Sequence, residues 1–180
     1  MKTLMVDMDD VITRGNFYKY VEEFMGVKID MDKTTNYYII QETVESKKEE
    51  FWKYVEDKDL YKGAPLFKDC YEVLEKLNKK YDVYIVTSYL WRETIDLSGK
   101  NLNYKYNYLK EMLPFIDPSK YIFTTNKSLL KFDIKLDDKI GNLENAKTKI
   151  LFNSWHNNHI EYDDNIIRVN NWKEIGDVLL

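Results

Sequence analysis

Short apolar runs that stop at polar residues recur along this chain. Thr3-Leu4-Met5-Val6 ends at Asp7, Val83-Tyr84-Ile85-Val86 at Thr87-Ser88, and Tyr121-Ile122-Phe123 at Thr124-Thr125. Phe132, Ile134 and Leu136 alternate with Asp133 and Lys135, then give way to Asp137-Asp138. Ile150-Leu151-Phe152 leads into Asn153-Ser154, and Ile166-Ile167-Arg168-Val169 is a sixth run. Runs of this length, closed by polar residues, predict strands. Between them the spacing turns helical. Phe67, Cys70, Val73, Leu74 and Leu77 form a stripe across residues 66–80, and residues 104–113 read as a second helix. Trp172, Ile175, Val178 and Leu179 share one side of a third, with Asn170 or Asn171 as its N-cap. Strands alternating with helices predict an α/β fold: a Rossmann-like parallel sheet flanked by helices.

Residues 14–62 break the alternation. Phe17, Tyr20, Val21, Phe24 and Met25 sit at helical spacing before Gly26, and residues 42–56 are charged around Phe51, Trp52 and Val55. The charge run at 42–50 reads as a solvated helix face. The strand-like signal here is confined to Tyr37-Tyr38-Ile39-Ile40. This pattern predicts a small helical cap at 14–62, inserted after the first strand and closed by Tyr61-Lys62-Gly63-Ala64-Pro65. The α/β core would then comprise 1–13 and 63–180, with the cap above the strand ends.

Composition narrows the possible partners. The 180 residues are 44% hydrophobic and 15% aromatic, which argues against a disordered chain. A net charge of -4 disfavours a nucleic-acid polymer as partner but leaves room for a small anion. The single cysteine, Cys70, has no internal partner, so it reads as a small core residue in a reduced, cytoplasmic protein. Neither a secretory signal nor a membrane span is expected. A homodimer is left open.

The chemistry gathers at the predicted strand ends. Asp7, Asp9 and Asp10 place three carboxylates within four residues. A polar turn is the plain alternative, but ligands in open α/β sheets bind beyond the carboxyl ends of strands. Asp7 and Asp9 flank Met8 and would share one face of an extended segment. Asp137 and Asp138 add two more carboxylates, and such a group is relieved by a cation. Oxygen ligands without His or Cys favour Mg2+. Thr87 and Ser88 offer donors for phosphate oxygens, and Lys127 completes the charge balance. Asp7 fits a nucleophile and Asp9 a general acid and base. Lys135, alternating with core residues, is placed facing outward or at an interface. His156 and His159 have a spacing that zinc sites use but no third ligand, so they read as part of a structural loop. Asp10 has no assigned role.

These motifs, in this order, resemble the haloacid dehalogenase superfamily: Asp7-Met8-Asp9, Thr87, Lys127 and Asp137-Asp138. The closer resemblance is to the 5'(3')-deoxyribonucleotidases. It rests on Asn126-Lys127-Ser128 through Leu136-Asp137-Asp138-Lys139, on the His156-Asn157-Asn158-His159 loop, and on Phe51-Trp52 ahead of Gly63-Ala64-Pro65. The resemblance implies Mg2+ on Asp7, the Asp9 carbonyl and Asp138, with Asp137 behind them. It implies phosphate held by Asp9, Thr87, Ser88 and Lys127, and a base contacted by Phe17, Phe51, Trp52 and Lys53. The implied reaction is dephosphorylation of deoxyribonucleoside monophosphates, with dUMP and dTMP favoured. The chain departs from the group at Asp10, where a small residue is usual, at Gly15, where an aromatic is usual, and at Thr125, where an Arg is expected. Phe17 or Tyr18 would substitute for the aromatic. A phosphatase for another small ester, such as a sugar phosphate, is the rival within the class. A receiver-like signalling module is the rival outside it, although such modules carry the acidic pair early and the phosphorylated Asp after a middle strand.

Overall fold

The computed structural model describes residues 1–31, 39–92 and 94–180, with residues 39–41 described by backbone alone. Six strands form one parallel sheet: β1 Thr3–Val6, β2 Asp82–Thr87, β3 Tyr121–Phe123, β4 Phe132–Asp137, β5 Ala146–Phe152 and β6 Ile166–Val169. Their order across the sheet is β3-β2-β1-β4-β5-β6. The chain reverses its direction of winding between β1 and β4. There Val6 lies beside Leu136, and the Asp7 N–H donates to the Leu136 carbonyl at 3.0 Å. Ligands bind at such a reversal, and here it sets Asp7 next to Asp137 and Asp138.

The helices are α1 Phe17–Met25, α2 Ile39–Val44, α3 Lys48–Val55, α4 Cys70–Lys80, α5 Ser98–Met112 and α6 Trp172–Leu179. Two begin away from the positions predicted by the apolar stripe. Helix α4 starts at Cys70 rather than 66, because Leu66 bridges Thr13 and the Phe67 N–H donates to the Ile12 carbonyl at 2.8 Å. Helix α5 starts at Ser98 rather than 104, because its first two turns bury polar rather than apolar side chains. Asn171 caps α6, accepting from the Glu174 N–H at 3.0 Å.

Strand alternation divides the core. Leu4 and Val6 join the larger cluster with Leu74, Leu77, Trp172 and Ile175, while Met5 joins Val86 and Phe132 in a smaller one. The Trp172 indole N–H donates to the Val11 carbonyl at 2.7 Å, fixing the loop after β1 against α6.

The helical segment after β1 has an apolar cluster of its own, made of Val21, Val44, Phe51 and Val55. Its two ends are tied together: the Asn16 N–H donates to the Leu60 carbonyl at 2.7 Å and its amide to the Lys62 carbonyl at 3.0 Å. Gly15 makes this closure possible. Its φ is +65°, and a Cβ there would lie 3.2 Å from both the Leu60 carbonyl oxygen and the Tyr61 ring. Any side chain at position 15 would be strained at that φ and would need the Leu60 carbonyl and the Tyr61 ring to give by a few tenths of an ångström. Of the Tyr37-Tyr38-Ile39-Ile40 run, Tyr37 and Tyr38 lie outside the described residues, and Ile39 opens α2 rather than a strand. Among the described residues no helix is long and apolar enough to cross a membrane.

Candidate active site

Asp7 is the first residue after β1, and its side chain is 6% exposed. Lys127, on a 3₁₀ turn after β3, places its ammonium 2.5 Å from Asp7 Oδ1 and 2.9 Å from Asp137 Oδ2. Carboxylate oxygens of Asp7, Asp137 and Asp138 all lie within 4.8 Å of one another, and all three residues are buried. Burial and the neighbouring Asp137 push the Asp7 carboxyl well above its usual range, against the pull of Lys127. Burial and Asp137 raise Asp138 in the same way. Three buried carboxylates that cannot comfortably ionise together, offering only oxygen donors, could hold a hard divalent cation. Asp137 spends both its oxygens on the protein. Oδ1 accepts from the Lys139 N–H and the Asn142 amide, each at 2.9 Å, and Oδ2 accepts from Lys127.

Asp9 is held differently. Its Oδ1 accepts from the Tyr61 hydroxyl at 2.6 Å, and its Oδ2 meets the Thr87 hydroxyl at 3.3 Å and the Lys105 ammonium. Burial opposes its charge, but Lys105 and the bonds from Lys105 and Tyr61 outweigh that and hold it below the usual carboxylate range. Burial, then the Asp9 charge, pushes the Tyr61 phenol well above its own range, so it stays a neutral donor.

A cavity of about 590 Å3 opens over these groups. Asp7, Asp9, Ser88, Lys127 and Asp138 line it. Thr87 is buried behind Ser88, its hydroxyl engaged by Asp9 and Lys105. Phe17, Trp52 and Trp91 line the same cavity, with ring centroids 6.1 Å apart for Phe17 and Trp52 and 5.0 Å for Trp52 and Trp91. Phe51 does not line it. That ring is fully buried, set edge-on to Phe17 and Trp52, and supports them from within the helical segment. Lys53 lies on the exposed face of α3, away from the cavity lining. Thr125 lines the cavity with Thr124.

Several residues at the cavity carry no clear signal in the sequence. Lys105 is the foremost, because a lysine in a tyrosine-rich helix looks like an ordinary surface position. Trp91 carries no signal beyond being aromatic in a loop. Asp10, at a φ of +55°, accepts from Arg14 Nε at 2.8 Å and from the Tyr18 hydroxyl at 3.0 Å, so its role is to fix two cavity-lining side chains. One placement is corrected. Lys135 does not face outward: it is fully buried and donates to the carbonyls of Lys127 (2.9 Å), Asn142 (3.1 Å) and Glu144 (2.6 Å). The strand's alternation hid it, because the opposite face of the sheet is covered there too. His156 lies in a turn, as the sequence predicts, and also reaches the acidic cluster. It is buried, with Nε2 2.6 Å from Asp138 Oδ2, whereas His159 is exposed.

The family model described as "5' nucleotidase, deoxy (Pyrimidine), cytosolic type C protein" matches residues 1–180. The chain belongs to this deoxyribonucleotidase family. Its members are phosphoric monoester hydrolases. The 5'(3')-deoxyribonucleotidase of Bacillus subtilis (strain 168) is 38% identical over 125 residues, covering 69% of this chain and 67% of that one. A Staphylococcus aureus (strain Mu50) protein, provisionally given the same name, is 28% identical over 182 residues, covering 99% of this chain and 96% of its own. Among solved structures, a haloacid dehalogenase-like family hydrolase from Xanthomonas campestris aligns with a TM-score of 0.54 at 10% identity. That alignment covers 99% of this chain and 94% of the other, and so shows the shared fold.

Proposed function

We propose that this chain is a Mg2+-dependent phosphatase of deoxyribonucleoside monophosphates, working through an aspartyl-phosphate on Asp7. The observation that carries the reading is the pairing, in one cavity, of the Asp7–Lys127 ion pair with the Phe17, Trp52 and Trp91 rings. The first fits a phosphoryl group and the second a flat base.

Asp7 Oδ attacks phosphorus, the bond from phosphorus to the ester oxygen breaks, and the nucleoside oxygen takes a proton from Asp9. Asp9 rests ionised, and the negative phosphate arriving beside it favours its protonated form. Water then attacks the phosphoaspartate, Asp9 takes the water's proton, and orthophosphate leaves with Asp7 restored. Lys127 and Ser88 meet the phosphate oxygens, with Thr87 ordering Ser88 from behind. Asp7, Asp138 and the Asp9 carbonyl would hold Mg2+, with Asp137 fixing Lys127 behind them. The ion supplies charge stabilisation for the phosphoryl oxygens.

Residues 14–62 act as the cap over the 1–13 and 63–180 core, contributing Phe17 and Trp52 and shielding the phosphoaspartate from bulk water. The family description names pyrimidine deoxynucleotides and a cytosolic type, which supports dUMP and dTMP as substrates and a cytoplasmic setting. Asp7→Asn should abolish phosphate release from dUMP and dTMP in the presence of Mg2+. Near wild-type turnover by that variant, or a preference for sugar phosphates over nucleotides in a matched panel, refutes the reading.

A further inference from the structure

Helix α5 buries four polar side chains on one face. Ser98, Asn101, Lys105 and Tyr108 follow one another at intervals of three, four and three residues, so they line up along the helix. Core-facing positions are normally apolar, and a buried ammonium is tolerated only when paired and hydrogen-bonded. The first three of these side chains all engage the segment that leaves β2. Lys105 Nζ donates to the Thr87 hydroxyl at 2.8 Å and the Ser88 carbonyl at 2.5 Å, and it pairs with Asp9. One turn earlier, the Asn101 amide donates to the Tyr89 carbonyl at 2.9 Å. One turn earlier again, Ser98 Oγ accepts from the Trp91 N–H at 3.0 Å. Helix and loop run in opposite directions and are fastened rung by rung, from the acid–base aspartate to an aromatic ring of the cavity.

We propose that α5 is a positioning helix that sets two parts of the site at once. Lys105 aims the Asp9 carboxylate, and Asn101 and Ser98 fix where Trp91 stands. The roles of Asp9 and Trp91 rest on the nucleotidase reading above. The two ends of the stripe therefore control different kinetic parameters. A stripe that merely held the fold together would lower stability without separating them.

The test compares Lys105→Met and Ser98→Ala with the wild type on dUMP and on 2-deoxyribose 5-phosphate, which keeps the ester and lacks the base. Lys105→Met, which preserves volume, lowers kcat about 10²-fold on both esters, with the smaller change in KM. Ser98→Ala raises KM for dUMP roughly three- to tenfold and spares KM for the base-free ester. Full kcat in Lys105→Met overturns the proposal, as does a KM shift in Ser98→Ala that is equal for both esters. If Lys105→Met does not fold, Ser98→Ala still decides, and an unchanged KM for dUMP is the overturning result. If the wild type turns over only the base-free ester, the nucleotide reading fails while Lys105→Met on that ester still tests the aiming of Asp9.

Discussion

Tyr61 donates its phenolic hydrogen to Asp9 Oδ1 at 2.6 Å, while Lys105 holds the other oxygen of the same carboxylate. Asp9 is thus clamped from both sides, by the residue that closes the helical segment and by the helix that follows β2. Tyr61→Phe keeps the ring, which packs 5.6 Å from Tyr108 and fills the space beside Gly15, and removes one hydrogen bond. The expected outcome is a kcat about tenfold lower on dUMP with little change in thermal midpoint. Unchanged turnover would show that the clamp is redundant.

Lys127 carries a heavier structural load. Burial works against its charge, but Asp137 and Asp7 outweigh that and hold it above the ordinary lysine range. Lys127→Met leaves those two buried carboxylates facing each other with no cation between them. The expected cost is about 3–5 kcal/mol in urea unfolding without Mg2+. Asp137→Asn added to Lys127→Met should recover part of it, because one of the two like charges is gone. A double variant no more stable than the single one would contradict this account of the loss.

The sheet and its acidic rim were legible because both leave a periodic trace. A strand in a parallel sheet is a short apolar run, and a functional strand end is a polar break in it. Asp7, Thr87 and Asp137 each mark such a break. Lys105 and Lys135 were not legible, because burial of a lysine depends on which carbonyls and carboxylates the fold brings to it. Lys135 meets three carbonyls drawn from two separate turns. The start of α5 was hidden for the same reason: its inward face is hydrogen-bonded rather than apolar. Phe51 and Trp52 are adjacent and equally aromatic, yet the helix turns one into its own core and the other into the cavity.

His156 should tune metal binding at Asp138. Burial keeps its imidazole below the ordinary histidine range, so the ring is neutral and offers one N–H. With Mg2+ bound and Asp138 ionised, that N–H would point along the 2.6 Å contact and fix which carboxylate oxygen is free for the ion. His156→Ala is expected to raise the Mg2+ concentration for half-maximal phosphate release about 10- to 100-fold, with activity recovered at excess Mg2+. A variant that loses thermal stability but keeps the wild-type Mg2+ dependence would reduce His156 to a packing residue.

At the opposite end of the sheet, Asp133 predicts an acid-sensitive part of the stability. Its Oδ2 accepts from the Thr3 N–H at 2.9 Å and the Thr3 hydroxyl at 3.1 Å, and its Oδ1 accepts from Lys147 at 2.8 Å. One carboxylate thereby ties β1, β4 and β5 together at their amino ends. The Lys147 bond, and then the Thr3 bonds, pull Asp133 down to about 2. The unfolded value is about 3.9. A folded value below the unfolded one means that the contribution is whole above about pH 4 and is lost as pH falls through about 2. Asp133→Asn should therefore lower the urea midpoint at neutral pH. The gap between wild type and variant should narrow steadily from about pH 4 downward, because the wild type loses what the variant never had. A gap of constant size over that range would show that the carboxylate's charge is not its source.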